Sequence, residues 1–241
     1  MDMFTYNAER LNEALLVIIR EYISEETFQW LLQQKGVNNI SAFNTAFAIM
    51  PRKTGRSSIN IAEVQEELLQ ATRPGFTINN WTVDRLCRVW LLINMDARDK
   101  EVYFNTIEKL FSAAEMNELV ALYSALPLLP YAGLWVKRCA EGIRSNIGTV
   151  LEAIMYHNPY AADNLGEAAW NQMVLKAFFT EKQIDLIYGL NERENQELAR
   201  ILIDYADERK AAGRSVDPML WYLVNKHVDG IKSVNVEKND F

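Results

Sequence analysis

A chain of 241 residues, 49% apolar and 24% charged, has an ordinary globular composition, and six Trp, ten Tyr and ten Phe exclude a disordered chain. The formal net charge of -7 works against binding nucleic acid or anionic membrane surfaces. Cys87 and Cys139 are too few and too far apart for a disulfide framework or a thiolate metal site, so both are expected as small buried hydrophobes.

Helical periodicity runs along nearly the whole chain and strand alternation is almost absent. Leu11, Leu15, Ile18, Ile19 and Tyr22 share one face of a first helix expected from about Phe4. Ser24 caps a second carrying Phe28, Leu31 and Leu32, which Gly36 closes. A third runs through Ala42, Phe43, Ala46 and Phe47 to Met50, where Pro51 is expected to stop it. The loop from Pro51 to Asn60 carries Arg52, Lys53 and Arg56. Without interleaved aromatics this reads as solvated surface and not as a nucleic-acid patch. Helices follow around Val64–Leu69, Trp81–Asn94 and Lys100–Phe111. Ser112 with Glu115 predicts a capping box for the next. Pro127 and Pro130 separate that helix from one over Tyr131–Gly142, and Ser145 opens another through Ile154.

Punctuation sharpens towards the end of the chain. His157-Asn158-Pro159-Tyr160 is a turn, because proline fixes its own φ and biases its neighbour away from helix. Asn164 with Glu167 predicts a cap for the helix of Trp170, and Thr180 with Gln183 a cap for a short helix ended by Gly189. Asn191 or Asn195 opens a longer helix that Gly213 ends, and Asp217-Pro218 opens the last. Residues 232–241 form a polar tail. The fold class is all-α. Short helices joined by tight turns predict an irregular, solenoid-like array of antiparallel hairpins, with a compact multi-helix bundle as the alternative. No linker divides the chain, so residues 1–230 read as one domain with a tail at 231–241. The first ten residues lack a signal peptide's basic start and apolar run, and no stretch approaches the roughly 20 apolar residues of a membrane span. The expected location is cytoplasmic, at most peripheral to the inner membrane.

Two histidines, His157 and His227, cannot build a multi-His metal site, and there is no phosphate loop, nucleophile elbow or zincin signature. His227 near the last helix end suits the helix dipole, and His157 reads as a turn ligand or as a polar group of a site. On the Trp170 helix, Met173, Ala177, Trp170, Val174, Phe178, Leu175 and Phe179 cover roughly 240° of the circumference. Asn171 falls inside that apolar arc. It must therefore bond another helix or face a ligand, since an unpaired buried amide costs about 1–3 kcal/mol. Gln172 and Lys176 share the polar edge. On the helix of Leu198, Ile201, Leu202 and Tyr205, the carboxylates of Asp204, Asp207 and Glu208 have the spacing of a Mg²⁺ site. The competing reading is a surface helix with Arg200–Asp204 and Asp207–Lys210 pairs, each contributing about 0.3–0.5 kcal/mol.

The strings at 157–160 and Ala-Trp-Asn-Gln-Met-Val-Leu-Lys-Ala-Phe-Phe at 169–179 lead into Ile187-Tyr188-Gly189-Leu190 and Glu197-Leu198-Ala199-Arg200. Asp204-Tyr205-Ala206-Asp207-Glu208-Arg209 and Ala211-Ala212-Gly213-Arg214 complete the series. Together they resemble the EboA family of bacterial proteins over about residues 155–225. The resemblance implies membership of a conserved gene cluster beside a prenyltransferase-like membrane protein, associated in cyanobacteria with moving a secondary-metabolite precursor out of the cytoplasm. It supplies no catalytic residues. The expected function is a non-enzymatic adaptor binding a hydrophobic metabolite or a partner protein of the same cluster, such as a membrane prenyltransferase, without cofactor, nucleic acid or membrane insertion. His157, Asn171, Lys176, Asp204, Asp207 and Arg209 are its candidate groove or partner residues. The alternative is a Mg-dependent enzyme or binding protein for a prenylated or phosphorylated intermediate, with Asp204, Asp207 and Glu208 on the metal and Lys176, Arg200 or Arg209 on phosphate. A purely structural oligomerisation subunit is the third reading.

Overall fold

The Asn7 side chain accepts the Arg10 amide and starts the first helix, α1 (Ala8–Tyr22), a full turn later than the apolar spacing alone predicted. A computed structural model of the chain describes residues 4–36 and 39–227. Thirteen α-helices and two 3-10 turns, with an isolated bridge between Ser58 and Thr82, make the described residues all-helical. They group into two compact units, Met1–Tyr160 and Ala161–Phe241. The boundary falls at the His-Asn-Pro-Tyr turn and not in a linker. The polar tail at 231–241 lies outside the described residues.

In the first unit α1 is followed by α2 (Glu25–Gln33), α3 (Ile40–Thr54), α4 (Glu63–Thr72), α5 (Val83–Ile93) and α6 (Lys100–Ala113). Then come α7 (Met116–Ala125), α8 (Val136–Arg144) and α9 (Gly148–Met155). Helix α5 is the centre of this unit: it packs against α1, α3 and α7, and α7 packs in turn on α9. Val83, Leu86, Cys87, Val89, Trp90, Leu91 and Leu92 of α5 are all buried, each large side chain contributing about 1.5–3 kcal/mol by leaving water. Cys87 and Cys139 are free and buried, as expected, and burial pushes the Cys139 thiol up to about 12.

Pro51 does not stop α3; the helix runs one more turn to Thr54. A proline at 51 has no N–H for the carbonyl of Phe47, four residues back, and that carbonyl would be an orphan in the core. Arg88 of α5 supplies the donor, its Nε lying 2.9 Å from Phe47 O. The guanidinium also lies over the Phe47 ring, 5.5 Å from its centroid, and its Nη1 pairs with Asp84 Oδ2 at 2.7 Å. Both side chains are almost fully buried, at 3% and 4% exposure. Arg88, held by Asp84 on the otherwise largely apolar α5, thus supplies the donor for the carbonyl that a proline inside a packed helix leaves without one.

Other helix starts move for equally local reasons. The expected box at Ser112 is replaced by one at Glu115, whose amide donates to Glu118 Oε2, while Ser112 Oγ donates back to Glu108 O inside α6. Tyr131 takes a left-handed backbone and begins a 3-10 turn (Ala132–Trp135) before α8. Ser145 closes α8 through its hydroxyl on Gly142 O, so α9 begins only at Gly148.

The second unit carries α11 (Glu167–Phe179), α12 (Gln196–Ala211) and α13 (Pro218–Asn225), after the short α10 (Tyr160–Asn164) that straddles the boundary. Asn164 ends α10 instead of capping α11, whose N-cap is Gly166. Thr180 Oγ1 donates to Lys176 O at the end of α11, and only a 3-10 turn follows, over Ile184–Leu186. Asn195 and Asp217 cap α12 and α13 as their sequence positions predict. Helix α12 lies between α11 and α13.

Candidate functional site

The residues singled out on the sequence separate into two kinds once folded. Asn171 is 1% exposed, and its amide meets that of Asn195 reciprocally: Asn171 Nδ2 donates to Asn195 Oδ1 at 3.1 Å and Asn195 Nδ2 donates to Asn171 Oδ1 at 2.9 Å. Asn195 Oδ1 also accepts the Leu198 amide, so one side chain caps α12 and fixes its register against α11. The helix-to-helix bond is the outcome of the two alternatives for Asn171. Replacing Asn171 by Ala should cost about 1–3 kcal/mol, because the Asn195 amide loses its buried partner. In a double-mutant cycle with Asn195→Ala, urea unfolding should return a coupling of at least about 0.5 kcal/mol; additive losses would dismiss the pair as a structural unit.

Arg209 is likewise consumed within the fold. Its Nε donates to Ser215 O at 2.7 Å and its Nη1 to the Tyr205 hydroxyl at 3.2 Å, while Tyr205 OH donates to Phe178 O at 3.3 Å. This chain ties the end of α12 to the end of α11. Lys176 is half-buried on α11. Asp204, Asp207 and Glu208 are exposed, with Asp204 paired to Arg200 at 3.2 Å and Asp207 to Lys210 at 3.9 Å. Among the described residues no three His, Cys, Asp or Glu side chains are placed to hold one metal ion. Phe179, expected in the apolar arc of α11, is 70% exposed, while Phe178 is buried.

His157 is an exposed residue with a left-handed backbone at φ 47°. The working side chain of that turn is its neighbour. Buried Asn158 donates from Nδ2 to Ala153 O at 2.8 Å and to Tyr123 O at 3.2 Å, and accepts the Tyr160 amide on Oδ1. An Asn ahead of Pro in a turn is the sequence signal that could have singled it out.

A surface hollow of mixed chemistry lies in the first unit, away from all of these residues in the chain. A hollow of about 250 Å³ is lined by Ile40, Phe43, Met95, Asp96, Asp99, Val102, Tyr103 and Thr106. Three segments build it: the first turn of α3, the connection after α5, and the first two turns of α6. Ile40 and Val102 stay substantially exposed, Val102 at 57%, as apolar rims without a cover. Asp99 is the N-cap of α6, its Oδ1 accepting the Glu101 and Val102 amides at 3.0 Å each. Asp96 is held by Arg98, whose hydrogen bonds pull its carboxyl down to about 2. Tyr103 is 1% exposed and its hydroxyl has no hydrogen-bond partner. Burial pushes that hydroxyl well above the ordinary tyrosine range. None of these eight residues carried a functional signal on the sequence, because each segment alone reads as a cap or a core face.

Fold and hollow together give described residues that are all-helical and carry a small amphipathic hollow at the surface. The chain belongs to the EboA family: the family model, described as metabolite traffic protein EboA, matches residues 11–225. The match reaches far ahead of residue 155, where the sequence resemblance began, and takes in the segments that build the hollow. No curated protein and no solved structure matches the chain.

Proposed function

We propose that this EboA protein is a non-enzymatic accessory of metabolite traffic that takes a small, largely apolar metabolite into the hollow between α3 and α6, for transfer to a partner protein of the same pathway. The observation that carries the reading is the lining itself: Ile40, Phe43, Met95 and Val102 offer an apolar wall at the surface beside a few polar groups. Ligand sites combine apolar walls with a small number of placed polar groups in this manner, although this hollow suits a smaller molecule than the usual drug-sized pocket. The family's traffic description supports a metabolite as the occupant.

The test fills the hollow from its exposed rim. Val102→Trp adds bulk at a 57% exposed position, so it leaves the core intact. Calorimetry with phenethyl alcohol as probe should show saturable binding to the native chain, weakened about tenfold or more in Val102→Trp at an unchanged melting midpoint, as expected when buried contacts worth about 1.4 kcal/mol are lost. Equal binding by the filled variant, or failure of shape-matched probes of every charge to saturate, would remove the hollow from the function.

A further inference from the structure

The hollow has a charge preference of its own. Its ionisable lining groups are two carboxylates and a tyrosine hydroxyl, and no Lys, Arg or His is among the lining residues. Helix N-termini ordinarily attract anions through their free amides. Here both flanking N-termini are already occupied. Asn39 Oδ1 accepts the Ser41 and Ala42 amides at the start of α3, and Asp99 Oδ1 accepts those of Glu101 and Val102 at the start of α6. An anionic ligand would meet carboxylates and spent donors.

A cation meets the opposite. Arg98 saturates Asp96 through three contacts from its side chain and one from its backbone amide, so the charge of Asp96 is compensated by its ion pair. Asp99 differs, because both amides it caps bond to Oδ1 and its Oδ2 accepts no hydrogen bond. Thr106 donates its hydroxyl to Val102 O at 2.8 Å, so towards a ligand it can only accept. Tyr103 lines the hollow as a residue that is itself 1% exposed.

Resting on the reading of the hollow as the metabolite site, we infer that its ligand class is a protonated amine with a compact apolar body, the ammonium seated on Asp99 Oδ2 and the body against Phe43, Met95 and Val102. The free carboxylate oxygen, the absence of lining cations and the two occupied helix starts converge on one sign of charge. A carboxylate- or phosphate-bearing molecule is rejected by the same groups.

The experiment compares three shape-matched probes, phenethylamine, phenethyl alcohol and hydrocinnamate, by calorimetry at neutral pH on the full chain. The amine should bind about tenfold tighter than the alcohol, and the carboxylate weakest, in line with a charge-assisted hydrogen bond at a partly exposed site. Asp99→Asn should abolish the preference for the amine while leaving the alcohol unchanged. Asn caps a helix as well as Asp does, so this variant keeps α6 and the fold. Equal binding of amine and alcohol, a tighter carboxylate, or a preference that survives Asp99→Asn would each overturn the amine assignment while leaving the hollow as a site. Failure of all three probes to saturate would overturn the hollow itself, and the amine with it.

Discussion

Arg88→Ala should destabilise the first unit by about 3–5 kcal/mol, the cost of leaving a buried charge without its partner. Three losses coincide in that change. Asp84 Oδ2 loses its 2.7 Å ion pair, and Asp84 Oδ1 is already buried without a hydrogen bond. The Phe47 carbonyl, which Pro51 cannot serve, loses the Arg88 Nε donor and becomes an orphan in the core. The Phe47 ring loses the guanidinium lying over it. Pairing Arg88→Met with Asp84→Leu should recover much of the deficit, since replacing both ions with apolar groups of similar size removes the uncompensated charge. The residual deficit belongs to the Phe47 carbonyl, and Pro51→Ala on that background should return part of it by supplying the missing N–H. Urea unfolding followed by tryptophan fluorescence reads all of these variants. A loss under about 1 kcal/mol for Arg88→Ala would mean that the pair is solvated in solution and does not hold α3 to α5.

Gly189→Ala should damage the second unit by an amount on the order of 2–5 kcal/mol, from two independent sources. Gly189 has φ 84°, a conformation L-residues adopt only under strain. A Cβ at 189 would also lie 2.6 Å from Ala162 Cβ, which is fixed to its own backbone and cannot swing aside. Space is short here because Arg193 reaches over the same ground: its Nη1 donates to Ala162 O at 2.7 Å while its guanidinium lies 4.9 Å from the Trp170 ring centre. Hydrogen exchange should localise the effect to amides of 161–227, with those of α5 unchanged. Retention of the wild-type midpoint in Gly189→Ala would show that α10 can move away from the 189 turn at little cost.

The all-helical class, most helix positions and the caps at Ser24, Asn195 and Asp217 are set by spacing and local chemistry within a few residues, and the chain carries them openly. The family is legible too, because the strings at 169–179 and 204–209 are dense in core and register residues. Asn171 could be read as a buried amide that demands a partner, since its place inside an apolar arc is fixed by helical geometry. Its partner could not, because Asn195 is reached only when α12 folds back on α11. Pro51 marks the same boundary: by itself it ends a helix, and only Arg88, 37 positions away by the numbers of the two residues, reverses that by donating across the core. The hollow lies wholly on the tertiary side. Ile40, Asp99 and Val102 each have a sufficient local explanation, as helix start, cap and first-turn residue, and nothing in a one-dimensional pattern says that these separate segments close around one space. Local hydrogen bonding and periodicity act over a turn or two of chain, whereas a site is made by packing, which brings together residues that periodicity cannot relate.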